Sequence, residues 1–137
     1  IVQLIVTTSG RESLNPFLNN SFRPYVKYFS HIITYEDVIN HKPFPDAYNL
    51  AVQLSNKSNV NCLAIEDSNI GVQAAKSAGI NCLLTLPPWS SNSKDIAKNA
   101  NACVDNLGNK TNPSKIIYGK QLVGEKIDLA YLTNIIN

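Results

Sequence analysis

Three sets of polar side chains stand beside apolar runs or open a helix. Thr7, Thr8 and Ser9 follow the run Ile1-Val2-Gln3-Leu4-Ile5-Val6. Their hydroxyls and turn amides suit phosphate oxygens. Taken alone, a plain strand-to-helix turn with a cap accounts for them more readily. Glu66 and Asp67 follow Cys62-Leu63-Ala64-Ile65. Two acids at the end of an apolar run are costly unless solvated, paired or metal-bound. Neighbours in extended chain point to opposite faces, so one carboxylate can reach a cation directly while the other acts through water. Oxygen donors of this kind suit Mg²⁺. A solvated loop end, with Asp67 or Ser68 capping a helix, accounts for the same pair. Lys42 sits in His41-Lys42-Pro43. A lysine held before a proline-initiated helix can neutralise a phosphoryl group and orient a carboxylate, whereas a lone loop lysine is simply solvated. His31 and His41 read as strand and loop residues. Trp89 reads as a cover for the core edge or for a neighbouring domain.

Alternating strands and helices must position these groups. Residues 1–6, 31–34, 62–65 and 80–85 are β-branched or aliphatic enough to predict strands, with Ala102-Cys103-Val104 as a short last one. Residues 1–6 are expected to be buried on both faces. A helix is expected over about 11–18, with a short second one inside 21–30. Pro43 and Pro45 suit a helix's first turn, and Ala47, Leu50, Ala51 and Leu54 recur at helical spacing. Ser68 predicts an N-cap and Gly79 a C-terminal stop for a helix carrying Ile70, Val72, Ala74, Ala75 and Ala78. Pro87-Pro88 breaks the fourth strand, and Trp89 to Asn92 reads as loop. Residues 106–113 read as a surface loop. Asp128 predicts the cap of a last helix, with Ile127 stapled against Leu132 and with Leu129, Leu132, Ile135 and Ile136 on its buried side. The pattern predicts an α/β fold with a parallel sheet and helices on both faces. Residues 1–104 form the core, and 105–137 form an extension packed on it.

Composition narrows the function classes. The chain has 137 residues, 44% hydrophobic and 16% charged, which is enough apolar content for one core. The net charge of +2 comes from scattered Lys and Arg, so neither nucleic acid nor a membrane surface is an expected partner. No apolar run approaches the ~18 residues of a membrane span. Cys62, Cys82 and Cys103 form no CxxC pair and read as buried small hydrophobes in a reducing, cytoplasmic compartment. No Met occurs and the first residue is Ile. A large residue there does not favour removal of an initiator Met, so the chain is expected to belong to a longer product.

Order makes the polar groups specific. A strand ending in Thr comes first, then Lys-Pro-x-Pro-Asp, then a strand ending in Glu-Asp-Ser-x-x-Gly-x-x-Ala-Ala. This order resembles the haloacid dehalogenase superfamily, in the branch of β-phosphoglucomutase-like and CbbY-like sugar-phosphate phosphatases. Val6-Thr7-Thr8-Ser9 looks like the second motif of that family. Lys42-Pro43-Phe44-Pro45-Asp46 looks like the third, and the stretch from Ile65 to Gly79 looks like the fourth. Val104-Asp105-Asn106-Leu107-Gly108 and the tail look CbbY-like. The resemblance implies a Rossmann-like, three-layer core. It also implies that Thr7 binds the transferring phosphoryl group with the amides of Thr8 and Ser9, and that Lys42 neutralises it. Asp67 would bind Mg²⁺, with Glu66 as a second or water-mediated ligand. The implied substrate is a small phosphorylated metabolite such as a sugar phosphate or bisphosphate, hydrolysed through an aspartyl-phosphate.

The family's first motif, Asp-x-Asp-Gly, does not occur; Asp46, Asp95, Asp105 and Asp128 have neither its context nor its position. By resemblance, the nucleophile strand and the substrate-selecting cap are expected from an N-terminal half before Ile1, and these 137 residues alone are expected to be inactive. The alternatives are an inactive remnant, a non-catalytic partner subunit, or a β-phosphoglucomutase-type phosphotransferase. A receiver-type phospho-acceptor would place its acids before the Thr and Lys, against the order seen. No GxGxxG follows a strand, which disfavours a dinucleotide enzyme.

Overall fold

The computed structural model describes residues 1–86 and 96–137. The expected break at Pro87-Pro88, the loop from Trp89 to Asn92, and Asp95 lie outside the described residues. Among the described residues the elements follow in chain order: β1 (Leu4–Val6), α1 (Arg11–Asn19), α2 (Arg23–Val26), β2 (His31–Ile33), α3 (Asp46–Ser55), β3 (Leu63–Glu66), α4 (Asn69–Ser77), β4 (Asn81–Thr85), β5 (Ala102–Val104), β6 (Ile116–Tyr118) and α5 (Leu129–Ile136). Single 3₁₀ turns occupy Tyr35–Asp37 and Asn59–Asn61. No described helix is long and apolar enough to cross a membrane.

The strands form two separate sheets. β1 pairs parallel with β2, and β3, β4 and β5 pair parallel in that order. β6 then adds to β5 antiparallel, with an irregularity between Cys103 and Val104. The expectation that Ala102-Cys103-Val104 is the last strand is therefore corrected. Ile116-Ile117-Tyr118 is a short β-rich run that finds an open edge beside β5.

Period-2 alternation sorts the strand side chains into layers. Ala64, Cys82, Leu84 and Cys103 pack with Val72, Ala74 and Ala75 of α4 and with Ala78 at its C-cap. Leu83, Ala102 and Val104 point the other way and meet Tyr131 and Ile135 of α5. Ile33 packs with Ala47 and Ala51 of α3. Burial pushes the Cys82 thiol up to about 12 and Cys103 up to about 11, so both behave as inert core residues.

Local chemistry sets the helix ends. Ser68 Oγ accepts from the Gly71 amide at 3.2 Å, and Asp128 accepts from the Tyr131 amide at 2.9 Å, as capping residues do. Ile127 and Leu132 both pack against the α5 layer. α3 starts at Asp46 with Pro45 as its cap, so Pro43 falls in the preceding turn rather than in the helix. Two positions expected on buried helix faces, Leu54 and Leu129, are instead open to solvent, and Ile70 of α4 is exposed as well.

The first strand is shorter than residues 1–6. Ile1 and Val2 are exposed, and all three residues of β1 are only half-buried. The reason is a slot. The free edge of β1 and the free edge of β3 line a common cavity of about 780 Å³, together with Leu132 and Ile136 of α5. Among the described residues no strand lies between them. Ile65, on an apolar strand, is 48% exposed for the same reason.

Candidate functional site

The carboxyl ends of β1, β3 and β4 open on a second cavity of about 490 Å³. Crevices beyond the carboxyl ends of parallel strands are where open α/β sheets bind ligands. Thr7, Thr8, Lys42, Glu66 and Asp67 all line this cavity. The structure therefore brings together five of the six residues singled out from sequence. Ser9 does not line it. Its amide instead donates to Thr7 Oγ1 at 3.0 Å, which closes a hydroxyl-centred turn and orients the threonine.

That turn is fixed from the neighbouring strand. The Thr7 amide donates to the Ile33 carbonyl at 2.9 Å, and Tyr35 N donates to the Ser9 carbonyl at 3.3 Å. Arg11 N reaches Glu36 Oε1 at 2.9 Å, and its guanidinium reaches both Asp37 oxygens at 2.6 and 2.7 Å. The Thr34 amide, then its hydroxyl, hold the Asp37 carboxyl below the usual range, and Arg11 adds to this.

Lys42 bridges the two sheets. Its ammonium donates to the Val6 carbonyl at 3.1 Å and to Glu66 Oε1 at 2.5 Å. It thus joins the ends of two strands that do not pair. An ammonium has three N–H donors. Two are engaged, which leaves one for the cavity. The ion pair is buried: the Lys42 and Glu66 side chains are 8% and 7% exposed. Tyr48 donates its hydroxyl to the same Glu66 oxygen, and its ring lies under the ammonium with 5.0 Å to the centroid. Burial, then the Glu66 charge, push the phenol well above its ordinary range, so it stays a donor.

Glu66 is packed on its other side as well. A Cβ at Gly71 would lie 1.9 Å from Glu66 Oε2. One carboxylate oxygen is thus shared by Lys42 and Tyr48, and the other fills the space that a glycine leaves. The described hydrogen-bond partners of Glu66 are thus a lysine and a tyrosine, both on Oε1. Asp67 is exposed on the cavity wall and accepts no hydrogen bond from the described residues. No group of three or more His, Cys, Asp or Glu capable of holding a metal occurs among the described residues. Glu66 and Asp67 both line the cavity, and carboxylate oxygens are the donors a hard cation such as Mg²⁺ takes, one or two at a time with waters kept.

Two site residues were not singled out from sequence. Thr85 ends β4, lines the cavity and donates to the Glu66 carbonyl at 3.2 Å. The other is Tyr48, in the first turn of α3. Its only sequence signal is a polar tip on an aromatic ring one turn into a helix that follows Lys42.

Parallel strands whose carboxyl ends gather a threonine turn, a buried lysine and an exposed aspartate define a Rossmann-like α/β protein with a polar ligand crevice. The sequence pattern of the haloacid dehalogenase-like hydrolases matches residues 1–85, and the chain belongs to that family. A CBBY-like protein of Arabidopsis thaliana is 29% identical over 104 residues, which cover 76% of this chain and 32% of that one. A crystal structure of Rhodobacter sphaeroides CbbY in complex with xylulose-(1,5)bisphosphate shares 30% identity, with a TM-score of 0.58 over 63% of this chain and 39% of that chain. A family IA, variant 3 HAD hydrolase of Entamoeba histolytica matches 97% of this chain and 52% of its own, with a TM-score of 0.72 and 20% identity, a likeness of fold. The chain thus spans about a third to a half of the length of these relatives.

Proposed function

We propose that these residues form the phosphate clamp and part of the Mg²⁺ site of a phosphatase acting on a small phosphorylated metabolite. The observation that supports this most is convergence: Thr7, Thr8, Lys42 and Asp67, distant in sequence, line one small cavity. The Thr7 hydroxyl and the Thr8 amide would bind phosphoryl oxygens. The third N–H of Lys42 would offset charge on the same group. Mg²⁺, when bound at Asp67, would supply further charge neutralisation. A sugar phosphate or bisphosphate is the favoured class, because the Rhodobacter sphaeroides relative was solved with xylulose-(1,5)bisphosphate.

The attacking group would come from outside these 137 residues. An aspartate oxygen attacks phosphorus, the phosphorus–ester oxygen bond breaks, and the leaving oxygen takes a proton from the second aspartate of the Asp-x-Asp-Gly motif to depart as the alcohol. Water then hydrolyses the aspartyl-phosphate. The slot between β1 and β3 supports this division. A strand lying there would pair with both free edges, and its carboxyl end would open on the cavity beside Lys42. Without that strand the two edges stay unpaired. These 137 residues alone should therefore show no cooperative thermal transition by circular dichroism; a single sharp transition would count against the strand assignment.

The functional test uses the full natural chain and a panel of sugar phosphates. Asp67→Asn should lower turnover by ~10²-fold or more, the scale of losing a main electrostatic stabiliser. Near-normal turnover of that variant at saturating Mg²⁺ would remove Asp67 from the site. No turnover of any panel member by the natural chain would favour a non-catalytic partner or remnant.

A further inference from the structure

We propose that Tyr48 is a positioning residue for the phosphoryl-binding lysine, acting through Glu66. The inference rests on the phosphatase reading above for its consequence, though not for its geometry. Tyr48 touches both members of the buried pair. Its hydroxyl donates to Glu66 Oε1, the oxygen that also accepts from Lys42. Its ring face lies 5.0 Å from the Lys42 ammonium. A ring face attracts a cation, and a hydrogen bond to a carboxylate is stronger than one between neutral groups. One side chain therefore serves the positive and the negative partner together.

The carboxylate has no other place to rest. Its second oxygen already fills the gap at Gly71, where even a methyl group would overlap it. Tyr48 and Lys42 close the opposite side. With the Tyr48 hydroxyl gone, one donor would be left for an oxygen that now has two. Glu66 could then turn away from Lys42. The lysine, whose side chain is 8% exposed, would lose the partner that holds its stem in the core and its third N–H toward the cavity. Tyr48 does not line that cavity. It acts on a phosphoryl group only through the pair.

Tyr48→Phe keeps the ring and removes the hydroxyl, so it isolates the proposed link. Two readouts are taken on the full natural chain. The first is the acylation rate of Lys42 relative to the exposed Lys76, read by mass spectrometry. It should rise by about tenfold in Tyr48→Phe, the scale of losing one hydrogen bond to a charged group. The second is the affinity for inorganic phosphate by titration calorimetry. It should fall by a similar factor. In a Glu66→Gln background, Tyr48→Phe should change neither readout by more than about twofold, because coupled residues do not add.

Unchanged Lys42 protection in Tyr48→Phe overturns the inference. Loss of protection in Tyr48→Phe with no phosphate binding by the wild-type chain overturns the phosphatase reading and leaves the Tyr48–Glu66–Lys42 link standing. A measurement without substitution guards against a variant that does not fold. The wild-type Tyr48 hydroxyl proton should appear as a slowly exchanging, downfield NMR signal, and its absence overturns the inference as well.

Discussion

Glu66→Ala is expected to destabilise the full natural chain by about 3–5 kcal/mol, the cost of stranding one partner of a buried ion pair. The side chains of Glu66 and Lys42 are 7% and 8% exposed, so water cannot replace the lost contact. The Tyr48 hydroxyl, also buried, loses its acceptor in the same step. The expectation differs sharply for an apolar replacement of the whole pair. Lys42→Met with Glu66→Leu removes both charges, and such swaps are often neutral or stabilising by 1–4 kcal/mol. The single variant should therefore be much less stable than the double, although the double removes more polar contacts. Phosphate binding should be lost in the double variant regardless of its stability. Urea unfolding with a two-state fit gives both numbers. A Glu66→Ala stability within about 1 kcal/mol of wild type, the range of exposed pairs, would show that the pair is solvated.

This pair also marks the boundary of what sequence could reveal. Thr7, Thr8, Lys42 and Asp67 were legible because each is a polar residue beside an apolar strand or a helix start, and α/β sheets bind ligands at such points. The caps Ser68 and Asp128 were legible because their side chains compete for nearby amides whatever the tertiary context. Glu66 and Lys42 were each visible as site residues, but their pairing was not. Lys42 lies 24 residues away, and only the packing of α3 against β1 and α4 brings them together. Tyr48 was hidden because a buried aromatic at helical spacing looks the same whether its hydroxyl points to water or to a carboxylate. Ile65 failed in the opposite direction. Its run looks buried, yet it faces the slot and is 48% exposed. β6 was missed because three β-rich residues after a polar loop form a strand only where a neighbouring edge is free, and pattern alone does not reveal edges.

Gly71→Ala is where local propensity and tertiary packing predict opposite signs. Gly71 lies inside α4, and alanine is favoured over glycine in a helix interior by roughly 0.5–1 kcal/mol. The backbone there needs no left-handed conformation, since Gly71 is absent from the positive-φ glycines. Propensity alone therefore predicts a gain. The packing predicts a loss. A Cβ would stand 1.9, 2.1 and 2.6 Å from Glu66 Oε2, Cδ and Oε1, so the whole carboxylate must move. It cannot move while Lys42 and Tyr48 hold it, so the substitution must break the pair or push α4 off the sheet. Breaking the pair costs about 3–5 kcal/mol, and the helix gain offsets only a fraction of that. Gly71→Ala should thus cost about 2–4 kcal/mol net and weaken phosphate binding, because Lys42 loses its orienting partner. The background decides the cause. In Glu66→Ala the obstructing carboxylate is absent, and the same Gly71→Ala change should become stabilising by the propensity difference. Equal destabilisation in both backgrounds, measured by urea unfolding, would place the obstruction somewhere other than Glu66 and would dissolve the link between this glycine and the lysine.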